Sequence, residues 1–218
     1  MLRIIPSTDL ICMNSYLADH NIKIDHVYKD ASHPENIFKR ALYHKDSQFW
    51  LHKDLAEIVV LAAQIFSEMG YVLVLKDGLR PLEAQAAMLE TEIVQNNLHW
   101  LEEPRLLSPP GKGGHPRGMA VDVLLQDSSG QDLDFGTVFD FLTHDPSDNP
   151  AARDYKTLPD AVLENRKVLE KGMLDAAALC GKNLLPLPTE WWDFRFMPDV
   201  INSFEPLSAK DLPFKTAV

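Results

Sequence analysis

The 218-residue sequence predicts an α+β fold, a single domain in which a small, mainly antiparallel sheet is flanked by helices. Three observations carry this. A helix, strand, helix succession runs from Asp54 to Leu101; a short apolar strand, Met119 to Leu125, is interrupted by one carboxylate, Asp122; and a third helix precedes an aromatic strand, Glu190 to Phe196. With 45% hydrophobic and 24% charged residues, the chain has enough apolar mass for one large domain over 1–218, with an irregular N-terminal part, 1–50, and a core over 51–205.

Within 1–50, short apolar pieces alternate with polar ones, and Tyr28, Phe38 and Tyr43 are the expected anchors. From Asp54 to Met69, Leu55, Ile58, Val59, Ala62, Ile65 and Phe66 recur at helical spacing, and Gly70 follows where a left-handed cap is wanted. Tyr71 to Lys76 then reads as a buried strand closed by the turn pair Asp77-Gly78. Pro81 suits the first turn of a second helix, expected over Glu83 to Leu101 because that span is free of Gly and Pro. The Pro- and Gly-rich span Glu102 to Gly114 is a loop leading into His115. A helix over Leu158 to Leu179 has Pro159 in its first turn and Gly181 past its end, with Gly172 as its weak point. The alternating aromatics of Glu190 to Phe196 predict a strand beside the one carrying Asp122.

Composition excludes several function classes. Net charge is −11, with no run of Lys or Arg, so nucleic acid and anionic membrane surfaces are repelled. No segment reaches the roughly 20 apolar residues of a membrane span, and Met1 to Asp19 has neither the basic start nor the apolar core of a secretion signal. Cys12 and Cys180 form no CxxC pair, so neither a thiolate metal site nor a disulfide framework is expected. A cytoplasmic protein acting on a small substrate fits these features.

The chemistry starts at Asp122. A carboxylate inside an apolar strand costs several kcal/mol unless compensated, and a metal ion is among the few sufficient compensators. His115 lies seven residues earlier, across a glycine-bearing turn, so zinc is the first hypothesis. A catalytic zinc takes about three protein ligands and keeps one position open. Glu190 and Asp193 are the candidates to complete the site, one binding metal and the other taking a proton from the metal-bound water. Residues three apart on a regular strand face opposite ways, but Leu187-Pro188-Thr189 precedes Glu190 and places it where the strand has not become regular.

These residues resemble the zinc D-alanyl-D-alanine dipeptidases, a family related in fold to D,D-carboxypeptidases and to the Hedgehog N-terminal domain. His115, Gly118, Ala120 and Asp122 (HPRGMAVD) followed by Glu190-Trp191-Trp192 match its metal motifs; Asp77-Gly78-Leu79-Arg80-Pro81 is similar to its D-G-Y-R-P turn, and Gly136-Thr137-Val138-Phe139-Asp140 to its G-T-x-F-D loop. The resemblance implies one zinc per chain on His115, Asp122 and Asp193, Glu190 as general base, and Arg80 as stabiliser of the oxyanion. It also implies that Asp140, with Tyr28, holds the ammonium end of a small D,D-dipeptide. Two positions depart from the pattern: Asp193 stands where the family has histidine, and Gly113 where it has serine. One imidazole and two carboxylates make a harder, more anionic metal site. The alternatives are therefore a D,D-carboxypeptidase acting on peptidoglycan stem peptides, and a non-catalytic homologue that binds metal or peptide.

Overall fold

The short apolar segments pair into one five-stranded sheet in a computed structural model that describes residues 2–217. In chain order the elements are β1 (Leu10–Cys12), β2 (Ile22–Ile24), β3 (Trp50–His52), α1 (Lys53–Glu68), β4 (Val72–Asp77), α2 (Leu82–Leu89), α3 (Glu92–Gln95), β5 (Ala120–Gln126), α4 (Asp160–Leu179), β6 (Leu184–Pro186), β7 (Asp193–Phe196) and α5 (Pro198–Ile201). The sheet runs β2-β4-β5-β7-β6. Only β2 and β4 are parallel; the other neighbours are antiparallel, and β1 pairs with β3 apart from this sheet. The fold is α+β and mainly antiparallel, as the sequence predicts.

Burial of apolar faces explains the packing. Leu55, Ile58, Val59, Ala62 and Phe66 of α1 are fully buried, and the helix stops before Gly70, whose φ is +83°. Helices α1 and α4 pack on each other, α1 also on β4 and α4 on β6. Their approach depends on Gly172, because a Cβ there would lie 2.3 Å from Cε1 of Phe66. Gly172 is thus a contact point between helices, and its missing side chain is what the packing uses. Tyr28, Phe38 and Tyr43 are all buried, and β2 brings the N-terminal residues onto the edge of the main sheet.

Two expectations need correction. The helix expected over Glu83 to Leu101 is broken into α2, α3 and a 3-10 turn, Leu98–Leu101. Polar side chains there satisfy the backbone locally: Thr91 Oγ1 donates to Met88 O (2.7 Å), Gln95 Nε2 to Leu89 O (2.8 Å) and Asn97 Nδ2 to Ile93 O (2.8 Å). The last strand is also shorter, because residues 188–192 form turns and β7 begins at Asp193.

Register then sets the site. Asp122 lies directly opposite Asp193, and Ala120 opposite Arg195. With side chains alternating along each strand, Asp122, Asp193 and Arg195 share one face, while Val121, Val123, Phe194 and Phe196 enter the apolar core.

Candidate metal and active site

The loop ahead of β5 is tied down before it delivers its imidazole. Arg117, buried, donates from Nε to Phe204 O (2.8 Å) and from Nη1 to Gly111 O (2.9 Å) and Gly113 O (3.0 Å). Gln85 of α2 donates to Ser108 O and Lys112 O and accepts from Gly111 N. His115–Arg117 then makes a single 3-10 turn that ends at Gly118, with φ +62°. A Cβ at Gly118 would lie 2.9 Å from His52 N, so this turn takes glycine on both counts.

His115 is oriented by Gly78. Its Nδ1 lies 2.8 Å from the Gly78 carbonyl, which only accepts, so Nδ1 carries the hydrogen. Nε2 of the neutral ring then turns its lone pair toward Asp193 Oδ2 at 3.2 Å and Asp122 Oδ1 at 3.5 Å. Three acceptors facing one another need a cation between them. Burial lowers the His115 pKa, but Asp122 and Asp193 outweigh burial and Arg80 and push it up to about 10. A proton on Nε2 answers the two carboxylates, and the buried groups here could hold a metal ion in its place. Asp122 Oδ1 is buried and has no hydrogen-bond partner among the described residues. Zinc bonds of about 2.0–2.1 Å set tetrahedral neighbours roughly 3.3 Å apart, which matches the separations from Nε2.

Asp193 is held from the other side. Arg195 Nε donates to its Oδ1 at 2.7 Å and Arg195 Nη2 to its Oδ2. Although burial raises the Asp193 carboxyl, Arg195 and His115 bring it well below the usual range. Glu190 sits in the turn before β7, as the Leu-Pro-Thr segment predicts, and lines the same cavity. Burial, then Asp193 and Asp122, push Glu190 well above the usual carboxylate range, against the pull of Arg195. Asp122, Glu190 and Asp193 each offer an oxygen within 4.8 Å of the others.

Arg80 lines the same cavity, with its Nη2 3.9 Å from Asp122 Oδ2. Its Nε and Nη2 both donate to Asp77 Oδ2, at 2.9 and 2.6 Å, and Tyr43 donates to Asp77 Oδ1 at 2.6 Å. Asp77 is therefore the holder of Arg80. Among the described residues Arg80 Nη1 meets only the weak acceptor Met88 Sδ, at 3.6 Å, and remains available to a ligand. Tyr28 donates to Asp140 Oδ2 at 2.8 Å, and the Arg80 guanidinium lies 5.4 Å from the Tyr28 ring centroid. Asp140 adopts φ +59° at the end of the Gly136 loop, which Trp191 anchors through its Nε1 to Thr137 Oγ1 (2.8 Å) and its stack on Phe135. Trp191 and Trp192 are both buried in the apolar core.

The seven residues singled out from sequence thus gather in one region. His115, Asp122, Asp193, Glu190, Arg80 and Asp140 line a single cavity of about 250 Å³, with Tyr28 bonded to Asp140 behind them. His144, the one other histidine near these segments in sequence, points instead to Asn97 (3.1 Å) and takes no part. Sequence reasoning missed Arg195 and Gln85. The alternation of the strand puts Arg195 on the face of Asp193, but sequence alone assigns it no role there. A second acidic group, Asp25 and Glu35, is filled by the buried ammonium of Lys76.

The chain is 27% identical over 189 residues to the D-alanyl-D-alanine dipeptidase of Escherichia coli (strain K12), covering 86% of this chain and 84% of that one. Among solved structures it is similar to the Serratia marcescens L-Ala D-Glu endopeptidase ChiX, with a TM-score of 0.39, 15% identity, and coverage of 67% of this chain and 80% of that one. Residues 7–206 match the peptidase M15 family described as D-ala-D-ala dipeptidase, and the chain belongs to that family.

Proposed function

We propose that this protein is a zinc-dependent dipeptidase that hydrolyses D-alanyl-D-alanine or a closely similar D,D-dipeptide. The observation that carries the reading is the convergence of His115 Nε2, the unpartnered Asp122 Oδ1 and Asp193 Oδ2 beside Glu190 and Arg80 in one cavity. His115, Asp122 and Asp193 hold the ion, which when bound polarises the scissile carbonyl and activates water. Glu190 accepts the proton of the attacking water and returns it to the leaving amine, from its place in the cavity beside Asp122 and Asp193. Arg80, anchored by Asp77, turns Nη1 to the oxyanion. Asp140, steadied by Tyr28, takes the substrate ammonium. The unpaired Cys12 and Cys180 suit a reducing cytoplasm, and among the described residues no helix is long and apolar enough to cross a membrane.

Metal-reconstituted protein is expected to release D-alanine from D-Ala-D-Ala and none from a stem pentapeptide. Release from the pentapeptide makes it a D,D-carboxypeptidase, and release from neither, with metal bound, a binding protein. Recognition of the ammonium sets a pH dependence. Burial pushes the Asp140 carboxyl up to about 7, so the KM for D-Ala-D-Ala is expected to rise as pH falls through that value. Asp140→Asn should raise KM at pH 8 and remove this pH dependence.

A further inference from the structure

We infer that Arg195 is a positioning residue that leaves Asp193 a single donor atom and makes the Asp193–Arg195 pair a net-neutral ligand, in place of the imidazole the family carries there. The inference rests on the metal-binding part of the proposed function and not on the identity of the substrate. Arg195 engages both oxygens of Asp193, Nε on Oδ1 and Nη2 on Oδ2, and only Oδ2 also faces His115 Nε2. One lone-pair direction toward the metal position is left. Charge follows the same logic: His115 with two carboxylates carries −2, and the guanidinium returns the set to −1, the charge of two imidazoles and one carboxylate.

The second departure from the family meets the first at this side chain. Gly113 has φ +81°, and a Cβ built on it would lie 3.5 Å from both Arg195 Nη1 and Ser108 Oγ. A serine there would need room for one atom more, in the space that Nη1 and the Ser108 hydroxyl border. Gly113 and Asp193 are 80 positions apart in sequence, yet both lie beside Arg195. Burial fixes the arrangement, since the side chain of Asp193 is 1% exposed and that of Arg195 14%.

Chelator competition on the full-length protein tests this, with Zn2+ and Mn2+ affinities and the visible absorption of the Co2+ form as readouts. Arg195→Met frees both oxygens of Asp193, so zinc affinity is expected to fall roughly 10- to 100-fold, as for other outer-shell partners of metal ligands. The Co2+ absorption should weaken as coordination rises above four, and Mn2+ should lose less than Zn2+. Asp193→His alone sets an imidazole against an unmatched guanidinium and is expected to bind zinc poorly. Asp193→His with Arg195→Met should regain wild-type affinity to within about threefold, a coupling that a merely structural arginine would not produce. Arg195→Lys, which keeps the charge and loses the two-point grip, should fall between wild type and Arg195→Met, and it serves if the methionine variant does not fold. Wild-type zinc affinity and Co2+ spectrum in both Arg195 variants, or Asp193→His binding equally well with and without Arg195, would overturn the inference while leaving the metal site standing. Failure of the wild type to take up Zn2+ or Co2+ overturns both.

Discussion

Replacing Glu190 with glutamine is expected to lower kcat for dipeptide hydrolysis by roughly 100- to 10,000-fold, the usual contribution of a positioned general base. The substitution keeps shape and removes only proton-accepting capacity. Zinc content should stay at the wild-type level, since His115, Asp122 and Asp193 are untouched; loss of metal with activity would make Glu190 a ligand instead. A pH titration of the metal-free protein gives an independent check. Burial and the Asp193 and Asp122 carboxylates raise Glu190 far above its ordinary 4.5, so the folded state holds that proton more tightly than the unfolded chain. Its stabilisation is full at low pH and is lost as pH rises from the ordinary value toward the raised one. Glu190→Gln should flatten this part of the stability profile, as read by thermal melting.

Arg80 is the second position where a large effect is expected, and stability separates from catalysis there. Asp77 is fully buried, and Arg80 is its ionic partner. Arg80→Ala leaves that carboxylate uncompensated, which should destabilise the protein by about 3–5 kcal/mol. Arg80→Lys keeps a positive charge but cannot bind Asp77 and present a second donor in the same geometry. It should fold, with a melting temperature closer to wild type, and lose roughly 100- to 1,000-fold in kcat with little change in KM. A lysine variant with normal kcat would reduce Arg80 to a structural partner of Asp77.

How much the sequence discloses differs between elements for physical reasons. Helices α1 and α4 are legible because their apolar spacing and terminal glycines act locally. The continuous helix expected over Glu83 to Leu101 is wrong because helix propensity counts residues singly, whereas Thr91, Gln95 and Asn97 compete for the backbone through their side chains. The strand Glu190 to Phe196 is half right. Its alternation holds from Asp193, but the Pro188 turn continues through Trp192, which lets Glu190 and Asp193 line the same cavity despite their spacing.

The sequence by itself determined which chemical groups exist and where each can act locally: an imidazole after a glycine-rich loop, a carboxylate in an apolar strand, an arginine after a strand-ending turn. Those are properties of short segments, set by φ preference, burial pattern and spacing. Tertiary structure alone decided how the groups meet. Pairing Asp122 against Asp193 across two antiparallel strands put two carboxylates on one face, and the Gly78 carbonyl turned the His115 lone pair toward them. It also brought Gly113 and Asp193 to a common neighbour in Arg195. Charge compensation over a few ångströms depends on distance through space, and residues 80 apart in the chain acquire that distance only when the sheet forms.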